Sequence, residues 1–209
     1  MEDILKSNEI IPDNIIGKAV DLEASKTENT IEEATTTFKR ACKRLLNPPI
    51  WHELSGALTT SFKITAPNDA DPKHLLHLYD YLMIDIPGPG PSAGNGYDWV
   101  QVEEISENAD PQSDESIGVK LRTAANPSKP EEGNAHFFEQ TATSTFIIKR
   151  NGATVTASYH GRNEKPNTTE ANLTDKIRNS LIATGALVGL SELQWTALIK
   201  GFLEEEIGG

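Results

Sequence analysis

The feature that most constrains this chain is the stretch around Asn151-Gly152, where two alternating runs meet at a turn dipeptide. Asn-Gly between such runs signals a β-hairpin, because both residues accept the positive φ of a tight type I′ turn. A two-residue turn there pairs Arg150 with Ala153. Counting outward sets Ile148 opposite Val155, Phe146 opposite Ala157 and Ser144 opposite Tyr159. These pairs share one face, while Lys149/Thr154, Ile147/Thr156, Thr145/Ser158 and Thr143/His160 fall on the other. Turn chemistry and hydrophobic pattern agree, so an antiparallel sheet is the expected framework. One unbroken strand from His136 to Lys149 would measure about 46 Å at ~3.3 Å per residue. A break is therefore expected near Thr141–Thr143.

Other strands read the same way. Leu58, Thr60, Phe62 and Ile64 alternate with polar residues, Leu82, Ile84 and Ile86 share a face, and Tyr97 to Val102 resumes the sheet. Ile117, Val119 and Leu121 suggest a short edge strand. Between these, Glu103 to Ser116 carries six carboxylates and no Lys or Arg, the pattern of a solvated, mobile acidic loop. Helices flank the strands. Thr30 and Glu33 have capping-box spacing ahead of the helical stripe Ile31, Ala34, Phe38, Ala41, Cys42 and Leu45, which Asn47-Pro48-Pro49 stops. At the C-terminal end two helices are expected. Asn172 caps the first, over Leu173, Ile177 and Leu181; Gly185 and Gly189 loosen the connection; Ser191 and Gln194 cap the second, over Trp195, Leu198, Ile199 and Phe202.

This order implies an α+β fold: an antiparallel β-sheet of about five to six strands, strongly curved where long strands allow it, covered by one N-terminal and two C-terminal helices. Residues 1–28, with a short helix near Asp3–Asn8, read as a loosely ordered N-terminal arm, and 29–209 as a single α+β domain.

The 209 residues carry a formal net charge of −12. No Lys/Arg run exists to neutralise phosphates, so binding to nucleic acid or to an anionic membrane surface is not expected. Cys42 is the only cysteine, which excludes an intramolecular disulfide and fits a reducing compartment. The start, Met1-Glu2-Asp3-Ile4-Leu5-Lys6, shows no signal peptide, and no apolar run spans a bilayer, so the expected location is the cytoplasm. No metal site is assigned: His74 and His77 lack a Glu or Cys at ligand spacing. No cofactor motif is present either. The Pro/Gly loop 87–96 has four glycines, but no Lys, no Gly-Lys-Ser/Thr ending and no following helix, and reads as a rigid strand connection. Cys42, on a buried stripe, is an inert thiol, and Trp51 a core plug.

Chemistry concentrates at His160-Gly161-Arg162-Asn163-Glu164, a polar run at a strand end. There an imidazole can move a proton and a guanidinium can fork onto an anion. The catalytic candidates are His160, Glu164 and Asp98; the ligand-binding candidates are Arg162, Asn163, Tyr97 and Trp99. His136 joins His160 only if a fold-over brings their strands together. Two functions fit. The first is a non-catalytic binding or assembly protein, engaging a protein partner or a second copy of itself through a Thr-rich sheet face. The alternative is a small metal-independent enzyme. In it His160 is acid/base, Arg162 holds an anionic substrate, and Glu164 or Asp98 orients the imidazole.

Overall fold

The computed structural model describes residues 10–56, 60–65, 75–86, 91–109, 114–167 and 186–205, the side chains of 186–191 excepted. The Asp3–Asn8 helix, His74, residues 87–90 of the Pro/Gly loop and the helix capped by Asn172 lie outside them.

Seven strands form one antiparallel sheet: β1 (Lys18–Thr27), β2 (Ser61–Thr65), β3 (Tyr81–Asp85), β4 (Asp98–Ala109), β5 (Asp114–Thr123), β6 (Thr143–Asn151) and β7 (Thr154–Glu164). Their order is β1-β7-β6-β5-β4-β3-β2. Three helices are described: α1 (Ile31–Leu45), α2 (Trp51–Leu54) and α3 (Ala186–Leu203). The α+β class is as expected, with one strand more. The additional strand is β1, which lies inside the segment read as an arm and pairs along its length with β7. Its Val20, Leu22 and Ala24 pack on the core while Asp21, Glu23 and Ser25 point away, a period-2 signal present in the sequence.

Two other expectations change. The stretch from Glu103 to Ser116 is largely ladder: β4 runs to Ala109 and β5 starts at Asp114. Its carboxylates meet cations from neighbouring strands, Glu103 with Arg122, Glu104 with Lys120, Asp114 with Lys149 and Glu115 with Arg150. Four of the six carboxylates are thus offset by cations across the sheet. The strand around Ile117, Val119 and Leu121 is not an edge either, since β5 lies between β4 and β6.

The hairpin keeps its faces but slips its register by two residues. Arg150 pairs with Val155, Ile148 with Ala157, Phe146 with Tyr159 and Thr145 with His160. The two turn residues are Gly152 and Ala153, and of these Gly152 alone takes a positive φ, +56°. That suits a II′ turn with glycine at its first central position rather than a I′ turn at Asn-Gly. A shift of two leaves every side chain on its face. The break before β6 falls at the expected place.

α1 begins at Thr30, whose hydroxyl accepts from Glu33 N at 3.1 Å, while the Glu33 carboxylate accepts from Asn29 N at 3.0 Å. Replacing Thr30 with alanine should cost about 1 kcal/mol in a urea melt. α3 runs unbroken through Gly189 and Ser191, where a loosened connection and a fresh cap were expected. One interior glycine costs a helix only about 1 kcal/mol, less than packing can return.

The core lies between α1, α3 and the inner face of the sheet. Trp51 fills its centre, with ring centroids 5.2 Å from Phe62, 5.1 Å from Phe146 and 6.0 Å from Phe202. Trp195 of α3 lies 6.1 Å from Phe62 on β2 and stacks on Tyr159 of β7 at 5.3 Å. In a flat sheet β2 and β7 would stand roughly 24 Å apart, at ~4.8 Å per strand. One indole reaches both because the sheet curls around the helix.

Candidate functional site

β7 carries two polar groups back to back. Alternation sends Ser158, His160 and Arg162 to the outer face, away from the helices, and Val155, Ala157 and Tyr159 to the inner one.

On the outer face the anchor is Asp21, which sits opposite His160 on β1. Its Oδ1 lies 2.6 Å from His160 Nδ1 and accepts from Arg162 Nη2 at 2.7 Å. His160 Nε2 lies 3.0 Å from Ser158 Oγ. Partial burial works against the Asp21 charge, but the Arg162 and His160 hydrogen bonds outweigh it and hold the carboxyl below its ordinary value. The series Ser158–His160–Asp21 has the role order of nucleophile, base and orienting acid. Yet β7 is paired on both edges, so the N–H groups flanking Ser158 serve the ladders and none is left to hold an oxyanion. Arg162 also donates to Val20 O and Gly161 O, at 3.1 and 2.8 Å. Its described partners are therefore the Asp21 carboxylate and two main-chain carbonyls.

On the inner face Glu164 is buried, 7 % exposed. Its Oε1 accepts from the Tyr159 hydroxyl at 3.1 Å, and that hydroxyl lies 3.2 Å from Ser144 Oγ. Burial is the main reason the Glu164 carboxyl is pushed up to about 7, with the Tyr159 bond and Lys18 pulling the other way. Burial and the adjacent Glu164 push the Tyr159 phenol well above its ordinary value. Gly161 makes the approach possible, since a Cβ there would collide with the Glu164 carboxyl. α3 closes this end: Trp195 stacks on Tyr159, Glu192 pairs with Lys18, and Gln194 Oε1 accepts from Thr60 Oγ1 at 3.3 Å. Gln194 Nε2 is buried with no hydrogen-bond partner among the described residues.

The expected site residues therefore do not converge. His160 and Arg162 lie outside and Glu164 inside, so Glu164 does not orient the imidazole; Asp21 does. Asp98 belongs to a different region. It pairs with Ile84 at the start of β4, and its Oδ1 accepts from Phe137 N at 2.8 Å. It is three strands from His160, roughly 14 Å across the sheet, and about 20 Å along it. Trp99 donates from Nε1 to Gly94 O at 3.2 Å, packing down the loop that precedes Tyr97. His136 stacks on Phe137 in that same region and does not join His160. Asn163 holds backbone of the N-terminal segment. Sequence reasoning missed Asp21, Tyr159, Ser144 and Trp195 as site residues. The hairpin pattern placed Ser144 and Tyr159 on one face, but nothing in it marked that face as chemically special.

Burial, with carboxylates Glu115 and Glu107 nearby, pushes the Cys42 thiol up to about 12, which disfavours the nucleophilic thiolate. Among the described residues no group of three or more His, Cys, Asp or Glu could hold a metal ion, and no helix is long and apolar enough to cross a membrane.

No protein-family model matches the chain, and no curated protein matches its sequence. Solved structures similar to it include the Zhui aromatase/cyclase from a Streptomyces species, at 7 % identity over 88 % of this chain and 93 % of that one, TM-score 0.42. A START superfamily protein from Mycobacterium smegmatis is 9 % identical over 88 % of this chain and 98 % of that one, TM-score 0.37. Truncated norcoclaurine synthase from Thalictrum flavum is 12 % identical over 93 % and 100 %, TM-score 0.33.

Proposed function

We propose that the chain is a non-catalytic binding protein that holds a small, largely apolar molecule against the inner face of the sheet beneath α3. Tyr159 and Glu164 would fix the one polar group of that molecule. The observation that carries this reading is a buried phenol–carboxyl pair set into an aromatic wall of Phe146, Trp195 and Tyr159 itself. A core that serves stability alone gains nothing from a buried carboxyl titrating near neutrality, and such groups cluster at functional sites. Gln194 Nε2, a buried donor with no hydrogen-bond partner among the described residues, supplies a second point of recognition. A ligand bearing a hydroxyl or carbonyl on an aromatic or alicyclic frame matches this wall.

The test is a tryptophan-fluorescence titration with 2-naphthol, an aromatic frame with one hydroxyl. Saturable binding is expected, with the naphthol recovered chemically unchanged. Tyr159→Phe should weaken it roughly three- to tenfold, the equivalent of one hydrogen bond. Absence of a saturable response up to about 1 mM, or equal affinity in Tyr159→Phe, would overturn the reading. Affinity for 1-naphthoate should fall as pH rises through about 7, because ionised Glu164 then repels the ligand's carboxylate.

A further inference from the structure

Glu164 points inward against the alternation of its own strand. Ser158, His160 and Arg162 occupy the outer face, and a regular strand would send residue 164 outward with them. The exception comes from a bulge. Lys18 pairs with Glu164 and Val20 with Gly161, so Ala19 alone on β1 faces both Arg162 and Asn163 on β7. Asn163 carries the distortion, with φ +56° in the left-handed region, where asparagine is among the few residues tolerated besides glycine.

Its side chain is used on every side. Oδ1 accepts from Ile15 N at 2.8 Å and from Ile16 N at 3.1 Å, while Nδ2 donates to Asp13 O at 3.2 Å. The Asn163 amide donates to Asn14 Oδ1 at 2.7 Å. The partners all come from the segment ahead of β1. Farther back, that segment is anchored by buried Ile10, whose side chain lies over Gly118 and beside Ile147 on the outer face. It is a strap across the back of the sheet, fastened at the bulge.

We infer that Asn163 is a positioning residue: gripped by the strap Asp13–Ile16, it turns Glu164 from the outer to the inner face, so that docking of the strap assembles the Tyr159–Glu164 pair. The segment before β1 thus controls the interior site from the opposite side of the sheet. The inference rests on Glu164 belonging to the binding site, but its test needs no ligand.

The experiment is a carboxyl-carbon NMR titration of the full chain labelled at glutamate. In the wild-type protein Glu164 should titrate near 7. Asn163→Gly permits the left-handed backbone but lacks all three side-chain bonds, and should drop Glu164 by more than about one unit toward the ordinary 4.5. Asn163→Asp keeps both acceptor contacts and should leave Glu164 at about 7 or above. If Glu164 stays near 7 in Asn163→Gly, backbone permissiveness alone places it and the inference fails. Should that variant not fold, Asn14→Ala replaces it: a drop of at least about half a unit supports the inference and no drop overturns it. A failed naphthol titration beside a normal Asn163 series would retire the proposed function and leave the positioning role standing.

Discussion

Trp51→Ala is expected to destabilise the protein by roughly 3–5 kcal/mol, the range for deleting a fully buried large aromatic side chain. Trp51 is 0 % exposed and meets Phe62, Phe146 and Phe202, so its removal separates β2, β6 and α3 at their common point. The indole also donates from Nε1 to Arg44 O at 2.9 Å, tying the end of α1 to the core. Trp51→Phe retains most of the packing but loses that bond, and should cost about 1–2 kcal/mol. Urea melts should show a lower midpoint with an unchanged slope. A loss below about 1 kcal/mol for the alanine variant would mean that the curl of the sheet is maintained without this residue. Typical domains have only ~5–15 kcal/mol in total, so the full effect should leave a substantial unfolded fraction under mild denaturant.

Glu164→Gln should move stability the other way, raising it by roughly 3 kcal/mol at pH 8. The native carboxyl is held up at about 7 against an unfolded value of 4.5, so between those pH values the folded chain binds more protons than the unfolded one. Stability then falls as pH rises through that window, and above about 7 the full cost of a buried carboxylate is present. Glutamine has nearly the same shape, still accepts from the Tyr159 hydroxyl and never ionises. Its advantage should therefore be near zero at about pH 4, grow through pH 5–7 and level off above that. The difference between the two proteins isolates position 164 from the other titrating groups. A difference that stays flat with pH would show that Glu164 titrates like an exposed side chain and would remove the basis of the proposed site. Gain of stability on loss of an ionisable group is expected where a residue is kept for function.

Much of the framework was legible because it depends on periodicity. The hairpin faces, the buried alternation of Phe62 and Ile64, the stripe of α1 and its Thr30 cap all follow from local repeats of two or of 3.6. The place of Cys42 on the apolar stripe of α1 follows from the same repeat, while Trp51, read as a core plug, lies beyond the two prolines that stop that stripe and fills the core. β1 carried a readable alternation that its position before a capped helix obscured. The β4–β5 carboxylates were unreadable for another reason: Arg122, Lys120, Lys149 and Arg150 neutralise them across strands, and a window along the chain contains no cross-strand partner.

The site separates the two kinds of information. Composition and spacing marked His160 to Glu164 as the densest chemistry in the chain, and the structure keeps every one of those residues engaged. His160 and Arg162 face outward by ordinary alternation, whereas the side Glu164 takes is decided by one extra residue in a bulge, which exists only against the partner strand. The bulge sets Glu164 on Tyr159 inside while His160 and Arg162 stay on Asp21 outside, and strand order leaves Asp98 three strands away. Local sequence determined the elements and their faces, because backbone sterics and side-chain alternation act over a few residues. Asp13–Ile16 meets Asn163 from more than a hundred residues away, and Trp195 reaches Tyr159 from another element, so only packing of the whole chain sets such contacts.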